Sequence, residues 1–145
     1  MRHTGATLLA LALTAASGPA LAFDYARQSY LLHCAGCHLP DGSGSAANEV
    51  PSLHGIPGHF AKLPEGRAFL TQVPGIAYSP LGDEEVAEIL NWMLREYSKD
   101  TLPDDFEPFT TAEVSRLRAT RPAEIFKVRA AVLERLRELG VTIDY

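Results

Sequence analysis

The sequence predicts an all-α protein, and three observations carry that prediction. Apolar residues recur at three- and four-residue spacing in 83–98 and again in 122–139. Residues that start and stop helices flank both stretches. No alternating apolar–polar run exceeds a few residues, so no strand is expected, and neither an internal repeat nor a low-complexity tract interrupts the chain.

Residues 1–22 read as an export leader. Arg2 and His3 make a short polar start, "GATLLALALTAASG" is apolar, and "ALA" at 20–22 supplies the small residues a signal peptidase accepts. The apolar run is shorter than the roughly 20 residues that span a bilayer. Loss of Arg2 with the leader would leave 12 Lys+Arg against 18 Asp+Glu, a formal charge of −6 in place of −5. No basic stripe appears, which argues against nucleic acid as a partner. No second long apolar segment follows, so no stable membrane insertion is expected.

A first helix is expected over "FDYARQSYLLHC", with Asp24 as its N-cap and Tyr30 and Leu31 facing a core. From Leu39 to Gly66 the glycines and prolines predict one long loop, of the kind that wraps something. "GRAFLTQV" (66–73) reads as a short helix ended by Pro74. Residues 83–98 give the clearest helix, with Asp83, Glu84 and Glu85 in a first turn where they complement the helix dipole. Its apolar face is Val86, Ile89, Leu90, Met93, Leu94 and Tyr97. After an acidic connector at 99–110, Thr110 and Glu113 stand at capping-box spacing. A last helix is expected from a first-turn Pro122 to a capping Gly140, with Ile125, Val128, Val132, Leu136 and Leu139 as its stripe. The expected divisions are a leader at 1–22, a helical domain at 23–98 and a helical C-terminal extension at 99–145. The stripe of that extension is expected to pack on the chain's own core, with docking to a partner as the other reading.

The chemistry lies in "LLHCAGCHLPDGSG" (31–44), which holds both cysteines of the chain, Cys34 and Cys37, with His38 directly after. Cys-x-x-Cys-His is the attachment sequence of c-type haem. Two thiols at this spacing add across the two porphyrin vinyl groups, and the adjacent histidine is held under the iron. A thioredoxin-like site would need a βαβ context, and a zinc site needs four ligands where the chain offers no further cysteine. A structural disulfide would close a tiny loop, contribute little, and leave His38 unexplained.

Residues 24–97 resemble a small class I cytochrome c. The resemblance rests on the first helix ending in Cys34-Ala-Gly-Cys37-His38, on the glycine loop "DGSGSAANEVPSLHG" and on "LGDEEVAEILNWML" as the closing helix. It implies one covalently attached haem c, with Cys34 and Cys37 carrying the thioethers and His38 as proximal iron ligand. It also exposes a departure. The family usually places a methionine ligand in the loop before the closing helix, where this chain has "TQVPGIAYSPLG". His59, in "IPGHF", is the expected distal ligand, Met93 is the alternative, and an open sixth position is the third case. His54 reads as structural, and His33 as pointing away from the iron. The resemblance implies a periplasmic single-electron carrier, not an enzyme, that works between a dehydrogenase as donor and an oxidase or other cytochrome as acceptor. The runner-up is a haem protein with an open sixth site, acting as a small-ligand sensor or peroxidase-like enzyme.

Overall fold

The structure, a computed structural model, describes residues 20–143. Its frame is a pair of helices from opposite parts of the chain, α1 (Ala20–His33) packed against α6 (Asp83–Tyr97). Most of the expected leader lies outside the described residues. Helix α1 already begins at Ala20, so the expected cut after Ala22 falls within it, and Asp24 lies in its second turn instead of capping it. Ala20, Leu21 and Ala22 are strong helix formers and extend the helix backwards.

Aromatic residues lock the pair together. Tyr30 is 1% exposed, and its ring lies 5.0 Å from Trp92 and 5.5 Å from Tyr97 between centroids. Val86, Ile89, Leu90, Met93 and Leu94 are buried on α6, as the spacing predicts. The N-terminus of α6 is closed by Glu85, whose Oε2 accepts the Gly82 amide at 3.2 Å.

Between α1 and α6 run α2 (Ala35–His38), α3 (Ile56–Phe60), α4 (Pro64–Gln72) and α5 (Pro74–Ala77). The expected continuous loop from Leu39 to Gly66 is therefore corrected to a shorter one, since α3 and the start of α4 lie within it. Pro57 and Pro64 occupy first-turn positions, where a missing N–H costs nothing, so they start helices here. Pro74 ends α4 and opens α5. Among the described residues there is no strand, only an isolated antiparallel bridge between Ser45 and Val50.

The chain closes with α7 (Thr111–Ala119) and α8 (Ile125–Glu138). Helix α7 packs on α6 and α4, and α8 on α4 and α3. Thr110 caps α7, its Oγ1 accepting the Glu113 amide at 3.1 Å. Pro122 precedes α8 by a short non-helical stretch and is not in its first turn. At the other end Gly140 has φ +81°. Its amide donates to Arg137 O at 3.0 Å and that of Val141 to Leu136 O at 2.9 Å. This is the paired cap that a left-handed glycine permits. Ile125, Val132 and Leu136 are buried, but Leu139 is 54% exposed and drops out of the stripe. Val132 and Leu136 belong to the same apolar core as Tyr30 and Leu90.

Polar contacts tie this last part down. The Arg67 guanidinium donates through Nε and Nη2 to the two Glu113 oxygens at 2.8 and 2.7 Å, and lies 3.9 Å over the Phe109 ring. Asn91 exchanges two hydrogen bonds with the Phe109 backbone, at 2.9 and 2.7 Å.

Candidate functional site

Helix α1 ends at His33, and the chain turns through Cys34 into the single turn α2, which presents Cys37 and His38. Amides of Cys37 and His38 both donate to Cys34 O, at 3.2 and 3.0 Å, so the two cysteines and the histidine share one helical turn. Both cysteines are free thiols, Cys34 half-buried and Cys37 exposed. Burial, and secondarily the neighbouring Cys37, pushes the Cys34 thiol up to about 11, so it keeps its proton at neutral pH.

Directly after the motif the backbone is strained. Leu39 adopts φ +63°, ψ 158°, a region a branched side chain rarely enters. Two tyrosines hold it there: Tyr30 Oη donates to Leu39 O at 2.7 Å, and Tyr97 Oη to Pro40 O at 3.0 Å. Burial raises the pKa of both phenols, which stay donors throughout the physiological range. The α1–α6 pairing thereby reaches through to the segment that aims His38.

The His38 ring is fixed from a second direction. Its Nδ1 lies 3.2 Å from Pro51 O, a contact that requires the proton on Nδ1 and leaves the Nε2 lone pair free. Burial lowers the His38 pKa, with the Pro51 bond opposing, which favours the neutral imidazole a metal needs. Pro51 arrives there because the loop folds back on itself. The Gly44 amide donates to His38 O at 3.0 Å, and Gly44 has φ +71°. A Cβ at this position would lie 2.6 Å from both Pro51 O and Val50 O. No residue with a side chain fits without moving those carbonyls.

On the Cys34 side lies a mostly apolar hollow, lined by His33, Cys34, Ile76, Ser79, Leu81 and Ile89 among others. Residues 75–81 form one wall and α6 another. The other expected residues are more scattered. His33 is exposed at the rim. His54 packs edge-on against Tyr97, with ring centroids 5.4 Å apart. His59 lies on α3, which packs on α4, α8 and the turn at Lys99–Thr101. Its Nδ1 is enclosed without a hydrogen-bond partner, and burial lowers its pKa. Met93 is 7% exposed within the α6 core face. Among the described residues no three His, Cys, Asp or Glu gather as a ligand cluster.

Sequence reasoning passed over Gly44, Tyr30, Tyr97 and the Pro51 carbonyl as parts of this site. The glycine–proline richness of the loop was the available signal for the first and last. The two tyrosines read only as core.

An all-helical chain with Cys-x-x-Cys-His turning off its first helix, and a later helix packed across that one, has the architecture of a class I c-type cytochrome. No family model matches the chain. It is 30% identical over 109 residues to a cytochrome c-552 of Thermus thermophilus, a match covering 61% of this chain and 80% of that protein. A further cytochrome c-552 of the same species is 31% identical over 109 residues, covering 61% of this chain and 71% of the relative. The chain belongs to the cytochrome c-552 family of small c-type cytochromes, which work in electron transfer, and its cofactor is covalently bound haem c.

The residues present fit that group. Two free thiols on one helical turn beside an imidazole whose Nε2 is uncommitted are what haem attachment and proximal ligation need. Cys34 and Cys37 would hold the ring and His38 the iron. Among the described residues no helix is long and apolar enough to cross a membrane.

Proposed function

We propose that this cytochrome is an exported periplasmic single-electron carrier and not an enzyme, passing electrons from a dehydrogenase to an oxidase or another cytochrome. In this reading Cys34 and Cys37 carry the thioethers and His38 is the proximal ligand. The observation that carries the assignment is the His38–Pro51 contact at 3.2 Å, one helical turn from two free thiols. When bound, the haem supplies the Fe(II)/Fe(III) couple. The chain's own part is to hold a proton at His38 Nδ1, which fixes the ring's orientation and strengthens the Nε2 donor. The stretch 75–81 and α6 wall the hollow on the Cys34 side. Export is supported by the apolar leader at 1–22 and agrees with attachment of haem outside the cytoplasm.

His59 is the proposed distal ligand, because its enclosed Nδ1 has no hydrogen-bond partner and its imidazole is held neutral by burial. Met93 is the alternative and would have to leave the packed face of α6. The open-site reading is favoured by one observation: residues 73–82, which supply a wall of the hollow, contain no methionine.

Optical spectroscopy of the haem-loaded protein tests these readings together. A low-spin spectrum unaffected by carbon monoxide is expected of the carrier, and conversion to high spin in His59→Ala is expected of the distal assignment. A high-spin ferric spectrum in the unaltered protein would favour the sensor or peroxidase-like reading instead. Cys37→Ser should leave haem on one thioether, and the double cysteine variant should release it on denaturation.

A further inference from the structure

The wall of the hollow is held from behind by one short segment of the C-terminal part. Arg118, on α7, points four hydrogen bonds into 76–83. Its Nη1 donates to Leu81 O at 3.1 Å and Asp83 Oδ1 at 2.7 Å, and its Nη2 to Ile76 O at 3.2 Å and Ser79 O at 3.4 Å. Arg121 grips Gln72 before that stretch and Tyr78 within it. Its Nε donates to Gln72 O at 2.9 Å, its Nη1 to Tyr78 Oη at 2.7 Å, and its guanidinium lies 4.7 Å over the Tyr78 ring. Gln72 returns a bond, its Nε2 donating to Leu117 O at 2.8 Å in a buried position.

Ile76 and Leu81 of the segment so gripped pack on the core, but its backbone has few bonds of its own. Its internal hydrogen bonds are those of the single turn α5, ending at Ser79, whose N and Oγ donate to Ile76 O at 3.2 and 2.9 Å. Its side chains Ile76, Ser79 and Leu81 nonetheless face the hollow beside Cys34. Arg118 has a side chain only 16% exposed, so its charge is largely withdrawn from water and depends on those oxygens for solvation. An arginine committed to three main-chain carbonyls and one carboxylate fixes the position of a loop in a way that an apolar contact does not.

We propose that Arg118 and Arg121 are positioning residues for the haem environment, forming a latch by which the C-terminal part holds residues 72–83 closed over the Cys34 side of the haem. The latch sets how often that wall opens, and hence how readily water and small ligands reach the haem from that side. The proposal rests on haem attachment at Cys34, Cys37 and His38.

The test uses full-length, haem-loaded protein and two readouts: amide hydrogen exchange along the chain, and the rate of cyanide association with the ferric form. In Arg118→Ala, exchange in 73–82 and cyanide association are both expected to rise about tenfold, the effect of losing about 1.4 kcal/mol from a local closing equilibrium. Arg121→Ala should act in the same direction and the double variant further. Arg118→Lys, able to reach one oxygen but not the fork, should be intermediate. Exchange in α1 and α6 and the haem content should stay as in the unaltered protein. Equal acceleration in α6 would overturn the latch by showing a global loss of stability, and faster loop exchange with unchanged cyanide association would overturn its role at the haem. If Arg118→Ala does not fold, Arg121→Ala and Arg118→Lys carry the same comparison. Failure of the underlying reading shows elsewhere, as haem that survives denaturation in the double cysteine variant, while the exchange of 73–82 still reports on the grip of Arg118.

Discussion

Gly44 shows how one backbone position governs the histidine proposed to hold the iron. Its left-handed conformation brings Pro51 O to His38. Gly44→Ala should cost about 1–3 kcal/mol through backbone strain alone, more if the Pro51 segment is pushed away. It should also weaken the bond that holds the Nδ1 proton, making His38 a poorer donor to ferric iron. The expected outcome is a lower melting temperature together with a midpoint potential shifted upward, measured by thermal unfolding and by redox titration of the loaded protein. An unchanged potential would separate the glycine from the ligand. At this scale the sequence was legible where chemistry is local: Cys34, Cys37 and His38 stand side by side in it. The carbonyl of Pro51 was not legible, because a main-chain oxygen leaves no residue-type signature.

Helices α7 and α8 carry sharper expectations than their place at the end of the chain suggests. Leu136 is 1% exposed in the core shared with α1 and α6, so Leu136→Ala should cost about 2–5 kcal/mol by chemical denaturation. Thr110→Ala removes the α7 cap and should cost about 1 kcal/mol, a few degrees in melting temperature. The junction of α6 with α7 also has a pH signature. Asp83 is held below its ordinary value of 3.8, first by the hydrogen bond from Arg118 and then by Ser115. A depressed carboxylate contributes its full share above the unfolded value and loses it as pH falls through the folded one. The protein should therefore lose stability below about pH 4, and Asp83→Asn should flatten that part of the profile, measured as melting temperature against pH. Periodicity made α6 plain, and the Thr110 and Gly140 signals marked where α7 begins and α8 ends. Pro57 and Pro64 misled, because proline both breaks and begins helices and only the downstream packing tells which. The links from Arg67, Arg118 and Arg121 span 35 to 49 residues, far outside any helical repeat that a pattern can report.

For the molecule as a whole, the extension and the haem-motif region share one apolar core. Removal of residues 99–145 would strip α3 and α4 of the helices packed on them and leave Arg67 without Glu113. Such a chain is expected to lose cooperative unfolding, followed by circular dichroism, and not merely a partner-binding function. In the proposed exported form, the formal charge of −6 would steer the protein toward a partner presenting basic residues. Electron exchange with such a partner should slow as ionic strength rises past about 0.1 M, where the screening length is about 10 Å. Stopped-flow rates that do not depend on salt would count against electrostatic docking.

The distance along the chain between the haem motif and its latch has a consequence in time. Crossing the membrane N-terminus first in the proposed export, the chain would present Cys37 81 residues ahead of Arg118. Through the first half of that stretch neither α6 nor α7 has emerged, and the thiols stand with nothing folded over them. An attachment enzyme would meet an open strand, and the last helices to be made would shut the door behind the haem.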